Sequence, residues 1–205
     1  MHIYTYTHLQ MATKAKKKTK KQIIQEAAVR LFRDKGYSAT SMRDLADAVH
    51  LKASSLYNHI SSKEEILKDI CFENAHRFLD GMKEVEALPG NATEKVEALL
   101  RLHIRTATGD AASVMAFNDE WRHLTEPLLS EFTALRKDYE SRFLAILKAG
   151  MQAGQFQNME PIIALHTIFS SMRWLYDWFQ PGKKLTAEEV EENIIRMLMT
   201  GLAKT

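Results

Sequence analysis

The residues of this chain that could perform catalytic or metal chemistry do not occur at the spacings which that chemistry requires. None of the eight histidines lies four residues from another, so the histidine pair that binds zinc on one helix face is absent from the sequence. Cys71 is the single cysteine, which excludes an intrachain disulfide and is typical of a reducing compartment. The sequence also contains no glycine-rich phosphate loop and no nucleophile elbow. We therefore expect neither an enzyme nor a metal site, and no cofactor.

Hydrogen bonding to a polyanion is the chemistry that one short segment does favour. Apolar Leu56 and Ile60 mark the inner side of a helix over about 53–59, and the remaining side chains there are small or polar.

The charges are divided unevenly along the chain. Residues 1–71 contain 13 Lys/Arg and 7 Asp/Glu, whereas residues 72–205 contain 15 Lys/Arg and 19 Asp/Glu. This division predicts a small basic module that faces a polyanion, attached to an acidic body that does not. Basic residues that serve solubility alone are the alternative.

Size and composition indicate a folded helical protein. The chain has 205 residues, of which 45% are hydrophobic and 26% charged, enough to bury a core without disulfides or metals. No apolar run approaches the roughly 18 residues that span a bilayer, and the first residues lack a signal-peptide core. We expect a cytoplasmic protein with no membrane contact. Glycine and proline total only twelve, which favours helix nearly everywhere.

The apolar periodicity around the polar segment predicts two further helices. Apolar residues recur at one-turn spacing over 20–35, and Gly36 supplies the left-handed conformation that commonly ends a helix. Ser41, with Asp44 three residues later, resembles a capping box and predicts the start of a two-turn helix. Two short helices joined by a tight turn are the layout of a helix-turn-helix. Many structural hairpins share this spacing, so the pattern alone leaves both interpretations open.

The rest of the chain continues as helix. Ser62 and Glu65 predict a capping box at the start of a long helix that ends near Leu88. Glycine and proline separate five later helical segments: 93–107, 111–124, 126–152, 160–179 and 186–202. We predict an all-α fold of nine helices in three parts: a flexible basic arm over 1–18, a trihelical unit over 19–65 and a larger body over 66–205.

Three segments of the trihelical unit resemble a known family. They are AVRLFRDKGYSATSMRDLADA over 28–48, SLYNHI over 55–60 and SKEEIL over 62–67. Together they are closely similar to the DNA-binding domain of TetR-family transcriptional repressors, over about fifty residues without a gap. The resemblance implies an N-terminal three-helix helix-turn-helix DNA-binding domain, followed by a larger helical domain for ligand binding and dimerisation.

The resemblance also implies which residues meet operator DNA. Family members contact the DNA backbone at the positions of Tyr57, His59 and Lys63. Thr40 and Ser41 would begin a helix whose amides point at a phosphate. The exposed face of the recognition helix would read base edges with Ala53, Ser54, Ser55 and Asn58. Packing of Tyr57 against the first helix and solvation of His59 without DNA contact are the alternatives.

Two features depart from the family pattern. His50 stands where the turn usually carries glycine, and we expect it to adopt the left-handed conformation at some cost. Lys52-Ala53-Ser54 replaces the usual serine cap, a loss of about 1 kcal/mol that a cap by Ser54 would offset. The operator sequence therefore cannot be taken from relatives. The lysine-rich arm either adds DNA contacts or is a solvated tail.

Repressors of this family dimerise through their last two helices, here the segments 160–179 and 186–202. The first of these segments carries more apolar surface than one neighbouring helix can bury, and a second copy of the chain would cover the surplus. Two recognition helices one DNA turn apart imply a palindromic operator. The resemblance thus implies a homodimeric repressor that a small-molecule effector releases from DNA.

Parts of the body resemble a subgroup whose effectors are coenzyme A thioesters, which includes repressors of fatty-acid and sterol-ring degradation. The similar segments are NDEWRHL over 118–124, EPL over 126–128 and RWLYDWFQPG over 173–182. A thioester needs an apolar tunnel for its acyl group and basic or aromatic groups for its phosphates and adenine. The candidates are His103, Met115, Phe117, Asn118, Trp121, Arg122, His123, Arg173 and Trp174. Aromatic side chains of an ordinary core, a drug-sensing repressor of an efflux pump, and a helical interaction protein without DNA affinity remain alternatives.

Overall fold

The computed structural model of the chain describes residues 18–203, so residues 1–17 of the predicted basic arm lie outside the described range. Its α-helices are α1 (Lys20–Lys35), α2 (Met42–Ala48), α3 (Ala53–Leu56), α4 (Lys63–Ala87), α5 (Ala92–Gly109), α6 (Ala111–Asp119), α7 (Leu128–Gln152), α8 (Pro161–Arg173), α9 (Leu175–Trp178) and α10 (Ala187–Leu202). A 3-10 turn covers Trp121–His123, and an isolated antiparallel bridge pairs Phe156 with Ala203. The predicted all-α class is confirmed.

Capping side chains determine where the helices of the N-terminal unit begin. The Thr19 hydroxyl caps α1, and Ser41 and Asp44 form the predicted capping box at the start of α2. Gly36 ends α1 with a φ of 83°, a conformation that favours glycine. At the start of α4 the Ser62 side chain accepts from the Glu65 amide, but the Glu65 carboxylate accepts from Ser61, so half of the predicted box forms.

The turn between α2 and α3 keeps its shape without glycine. His50 has a φ of 54°, which confirms the expected left-handed conformation. The helix that follows is shorter than the predicted 53–59 and ends at Leu56, with a turn over 57–59. The predicted compensation by Ser54 is absent, since Lys52 is the N-cap and no side chain caps α3. Without a cap, little besides the burial of Leu56 and Ile60 against the unit holds this helix.

Two predicted helices of the body are interrupted. The segment 111–124 forms α6 and then the 3-10 turn, and the segment 160–179 breaks at Trp174 into α8 and α9. Both breaks occur where a side chain bonds to another element: Glu120 accepts from the Tyr37 amide, and the Tyr176 hydroxyl donates to Asp119. These long-range contacts are invisible to local periodicity, which therefore predicted continuous helices.

The two 25-residue helices α4 and α7 form the centre of the body, and α5, α6 and α8 pack around them. Gly150 lets the chain pass closely, because a Cβ there would lie 2.3 Å from the Phe156 ring. On the outside, α10 is held to α5 by Glu191, whose buried carboxylate accepts from Arg101 and Arg105. Burial would raise the pKa of Glu191, but the hydrogen bonds from the two arginines outweigh it and hold this pKa below its ordinary value.

None of the helices between residues 18 and 203 is both long and apolar enough to cross a membrane. Several large apolar side chains are nevertheless exposed on the last helices and the loops beside them: Ile162, Ile163, Trp174, Trp178, Leu185 and Met197.

Candidate functional site

The segment 53–59 presents a polar surface held from behind by two apolar side chains. Leu56 and Ile60 are fully buried, and most of the other side chains are exposed: Ala53, Ser54, Tyr57, Asn58 and His59, with Ser55 half-buried. Tyr57 is 53% exposed, which disfavours the alternative that it packs against α1. Amide, hydroxyl and imidazole groups on such an exposed face can reach base edges and phosphates in a DNA groove.

Thr40 and Ser41 lie beside this surface but differ in accessibility. Thr40 is buried, and its hydroxyl donates to the carbonyl of Gly36 at 2.9 Å, closing the turn between α1 and α2. Ser41 is exposed and caps α2. The Thr40 side chain is therefore committed to the turn, while Ser41 faces solvent at the helix start.

Lys63, at the first position of α4, also holds the chain before α2. Its ammonium donates to the carbonyl oxygens of Tyr37 at 2.8 Å, Thr40 at 2.9 Å and Ser38 at 3.3 Å. The same nitrogen lies 4.4 Å from the centroid of the Tyr37 ring. Because an ammonium has three protons, these carbonyls occupy all of its donors.

A cavity of about 260 Å³ lies in the body between α4, α5, α6, α7, α8 and α9. Its wall is largely aromatic and includes the stacked rings of Phe78 and His103, 4.6 Å apart. The Nε2 atom of His103 is 2.8 Å from the Tyr139 hydroxyl. Burial lowers the pKa of His103 to about 4 and raises that of Tyr139, so both groups are neutral at pH 7. The cavity thus combines apolar and aromatic side chains with several polar ones, including Asn118, Arg136 and Glu140.

Four of the nine predicted ligand residues line the cavity, namely His103, Phe117, Asn118 and Arg173. Met115 is buried but is not part of the cavity wall. Trp174 lies on the surface, where its ring meets Trp178 at 5.1 Å. The residues Trp121, Arg122 and His123 form the 3-10 turn beyond α6, outside the cavity wall.

The sequence prediction missed the contribution of α7 to the cavity. Arg136, Tyr139 and Glu140 line it from this helix, together with His166, Phe169 and Tyr176 from α8 and α9. The spacing i, i+3, i+4 from Arg136 places these three side chains on one face of α7. The available sequence signal was that Arg136 and Glu140 lie beside Tyr139 in an otherwise apolar stripe of the helix. Similar patterns are common on solvated helix faces, so this signal did not indicate a cavity.

The turn between α6 and α7 joins the body to the N-terminal unit. The Tyr37 amide donates to Glu120 at 3.2 Å, and the imidazole of His123 stacks on the Tyr37 ring. The carboxylate of Glu64 accepts from the amide of Thr125 at 2.9 Å and from its hydroxyl at 2.6 Å, which lowers the pKa of Glu64. Burial raises the pKa of Tyr37 to about 12. Cavity residues Phe117 and Asn118 lie on the helix that leads directly into this turn.

Among residues 18–203 there is no cluster of three or more His, Cys, Asp or Glu side chains that could hold a metal ion. The thiol of Cys71 is buried, and burial raises its pKa to about 12, so it is a poor nucleophile.

Comparison with known proteins identifies both parts of the chain. Residues 24–70 match the family described as bacterial regulatory proteins, tetR family. Residues 89–202, more than half of the chain, match the family described as tetracyclin repressor-like, C-terminal domain.

Similar proteins include several regulators. The HTH-type transcriptional repressor KstR2 of Mycobacterium tuberculosis (strain H37Rv) is 25% identical over 185 residues, covering 87% of this chain and 90% of KstR2. The fatty acid metabolism regulator protein of Bacillus subtilis is 22% identical and covers 91% of this chain and 97% of its own.

Two solved structures share the fold. The structure of the M. tuberculosis ketosteroid transcriptional regulator KstR2 superposes with a TM-score of 0.86 at 22% identity, covering 93% of this chain and 98% of that one. The structure of AibR with isovaleryl coenzyme A and operator DNA has a TM-score of 0.75 at 28% identity, covering 87% of this chain and 97% of that one. The sequence-based family prediction is confirmed: this chain belongs to the TetR family of bacterial transcriptional regulators.

Proposed function

We propose that this protein is a homodimeric transcriptional repressor that binds a palindromic operator and is released from it by an acyl-CoA thioester. The observation that carries the proposal is the aromatic cavity, which lies next to the α6–α7 turn that contacts the DNA-binding unit. A ligand in the cavity touches the helix that ends in that turn, so it can shift the balance between two orientations of the DNA-binding unit.

On the DNA side, Ala53, Ser54, Ser55 and Asn58 are the proposed base-reading residues, while Ser41, Tyr57 and His59 are proposed to contact phosphates. The exposure of these side chains on one polar surface supports this assignment. Lys63 is proposed to support DNA binding indirectly, because its ammonium holds the carbonyls of the turn before α2. Thr40 supports the same turn through its hydrogen bond to Gly36. Asn58 has the side chain best suited to specific readout, because an amide can bond an adenine edge through two atoms.

The proposed dimer uses the segments 160–179 and 186–202. Ile163 is 63% exposed on α8 and Met197 is 64% exposed on α10. Large apolar side chains exposed on neighbouring helices are typical of an association surface. Because α10 also packs on α5 through Glu191, the dimer surface is connected to a wall of the cavity.

The proposed effector places its acyl group in the cavity. A volume of about 260 Å³ is below the roughly 300–1,000 Å³ of pockets that enclose drug-sized ligands, so a whole thioester does not fit inside. The exposed lining residues His166, Ser170 and Arg173 all lie on α8 and mark the mouth, so in the proposed dimer this mouth opens at the interface between the two copies. The coenzyme A part would lie outside this mouth, near the indole of Trp174 and the guanidinium of Arg173, which is paired with Asp119. The resemblance to AibR, which was solved with isovaleryl coenzyme A, supports a thioester effector.

The test begins with selection of an operator from random DNA by the purified protein. Fluorescence anisotropy then measures operator affinity while isovaleryl-CoA, hexanoyl-CoA or decanoyl-CoA is added, with free coenzyme A as the control. We expect palindromic sites and release by at least one thioester but not by free coenzyme A. Release by lipophilic cations alone would instead support a drug-sensing repressor, and failure to select any operator would contradict the proposal.

A further inference from the structure

Arg136 is a cation in the wall of the cavity that has a buried and unsatisfied nitrogen. Its Nη1 atom is inaccessible to solvent and has no hydrogen-bond partner among the described residues. The guanidinium carbon lies 5.1 Å from the Trp121 ring centroid and 5.9 Å from that of Phe117. Two aromatic faces therefore hold the charge, while its N–H donors are left for another group.

The charges around Arg136 do not satisfy it. Burial is the largest influence on its pKa and lowers it; Glu140 raises it, while Arg122 and Arg173 lower it. Glu140 lies one turn along α7 and lines the same cavity, but it forms no ion pair with Arg136. Arg173 is itself paired with Asp119. A guanidinium left in this state is unfavourable, because a buried charged donor is normally matched by an acceptor.

Position and chemistry together indicate the missing acceptor. The planar guanidinium matches a carboxylate in a bidentate hydrogen-bonded pair, and the rest of the cavity wall is mostly apolar or aromatic. The cavity mouth lies at His166, Ser170 and Arg173 on α8, whereas Arg136 stacks on Trp121 of the turn after α6. An acyl chain that enters at the mouth and extends towards the turn after α6 would reach Arg136.

We propose that Arg136 is a specificity-determining residue that binds a carboxylate at the far end of the acyl group, so that the effector is the coenzyme A thioester of a dicarboxylic acid. This inference rests on the thioester effector of the proposed function. A carboxylate would draw the guanidinium away from the Trp121 ring, which is two residues before His123, and so link the ligand to the contact with Tyr37.

The test compares ligands of equal chain length that differ at the far end. Isothermal titration calorimetry of the full chain would measure glutaryl-CoA against valeryl-CoA, and free glutarate against free valerate. We expect glutaryl-CoA to bind about 10- to 100-fold more tightly, the difference expected for a charged hydrogen-bonded pair. Arg136→Met should abolish this preference and Arg136→Lys should keep part of it. Arg122→Met is the matched control, because Arg122 also stacks on Trp121 but does not line the cavity.

The outcomes separate this inference from the proposed function. If the wild-type chain binds both thioesters equally, the proposal that Arg136 binds a carboxylate is wrong, while a thioester effector is still supported. This comparison needs no variant. If Arg136→Met loses affinity for both thioesters equally, the carboxylate proposal is also wrong, since Arg136 would then bind a phosphate or the thioester carbonyl. Binding of glutarate through Arg136 without thioester binding would support the carboxylate site and contradict the thioester effector. Binding of none of the four ligands would overturn the carboxylate site, while the operator-release test with the other thioesters decides the proposed function.

Discussion

The ring of Tyr37 stacks on the imidazole of His123, with 5.0 Å between centroids and 23° between planes. Tyr37 follows the first helix of the DNA-binding unit, and His123 ends the turn that follows α6. The stack is reinforced by the hydrogen bond from the Tyr37 amide to Glu120 and by the ammonium of Lys63, which lies 4.4 Å from the centroid of the Tyr37 ring. One aromatic side chain is thus shared between the unit that meets DNA and the turn beside the cavity.

Replacement of His123 by alanine should weaken the link between effector and operator. The stack is removed while the DNA-contacting face stays intact, so operator affinity without effector should change less than about threefold. The effector should then reduce operator affinity several-fold less than in the wild type, since coupling between sites amounts to about 1–3 kcal/mol. Operator anisotropy with and without effector measures both quantities. His76→Ala, an exposed histidine on α4, is the control, and unchanged release in His123→Ala would refute the link.

Replacement of Lys63 by methionine should destabilise the protein. The carbonyl oxygens of Tyr37, Ser38 and Thr40 lose a charged donor, and a hydrogen bond to a charged group contributes about 1.5–3 kcal/mol. A lower melting temperature in calorimetry, together with weaker operator binding at an unchanged salt slope, is expected. Lys68→Met, an exposed lysine on the same helix, should leave both unchanged. A salt slope reduced by about one unit with normal stability would show that Lys63 acts mainly on a phosphate.

Replacement of Asn58 by alanine should change which operator sequences are bound. An amide that pairs with a base contributes about 1–3 kcal/mol of discrimination at that base pair, while phosphate contacts act on all sequences alike. Repeating the operator selection with Asn58→Ala should therefore relax the preference at one position in each half-site. Lys52→Ala, which removes an exposed cation beside the same surface, should instead lower affinity for all sites and flatten the salt slope. An identical selected motif in Asn58→Ala would contradict the assignment.

Charged substitutions on the exposed apolar faces of α8 and α10 should give monomers. Ile163→Asp and Met197→Glu each place a carboxylate on the proposed interface, where it would be buried without a partner. Analytical ultracentrifugation should show dissociation at micromolar concentration, and operator affinity should fall at least tenfold because a monomer engages one half-site. Ala145→Asp, on an exposed position of α7, is expected to stay dimeric. Dimers in both interface variants would place the interface elsewhere.

The buried imidazole of His103 should make the body sensitive to mild acid. The folded state holds the pKa of His103 near 4, below the ordinary value of 6.5, so the unfolded chain binds the proton first. Its contribution to stability is therefore present above pH 6.5 and is lost as the pH falls from 6.5 towards 4. We expect the melting temperature to fall between pH 7.5 and pH 5 by more in the wild type than in His103→Gln. An equal fall in both proteins would show that His103 does not titrate in this range.

Local sequence signals were sufficient for much of the fold. The capping pair at Ser41 and the helix end at Gly36 depend on contacts between residues three or four apart, and the structure forms them as predicted. The left-handed His50 follows in the same way from its place in a turn. The family of the chain was also visible, because its N-terminal motif is contiguous over about fifty residues.

The cavity was less predictable from the sequence than the fold, since its wall comes from six helices. His103 and Phe117 were found because they lie in short apolar stretches, but Arg136 was missed because a charged residue on a long helix usually faces solvent. The burial of Arg136 depends on the packing of α7 against α4 and the 3-10 turn, which no local pattern encodes. Trp121 and His123 were assigned to the ligand, whereas they lie between the cavity and the DNA-binding unit.

The sequence by itself therefore determined the helical class, the helix starts and the family, because periodicity, caps and a contiguous motif act within a few turns of chain. Tertiary structure alone decided which side chains share the cavity, which ones join it to the DNA-binding unit, and that one arginine nitrogen has no partner within residues 18–203. These features depend on contacts between residues far apart in the chain, such as His103 with Tyr139, 36 positions apart, and Tyr37 with Glu120, 83 positions apart. Such distances are set by how helices pack and not by the order of residues along any one of them.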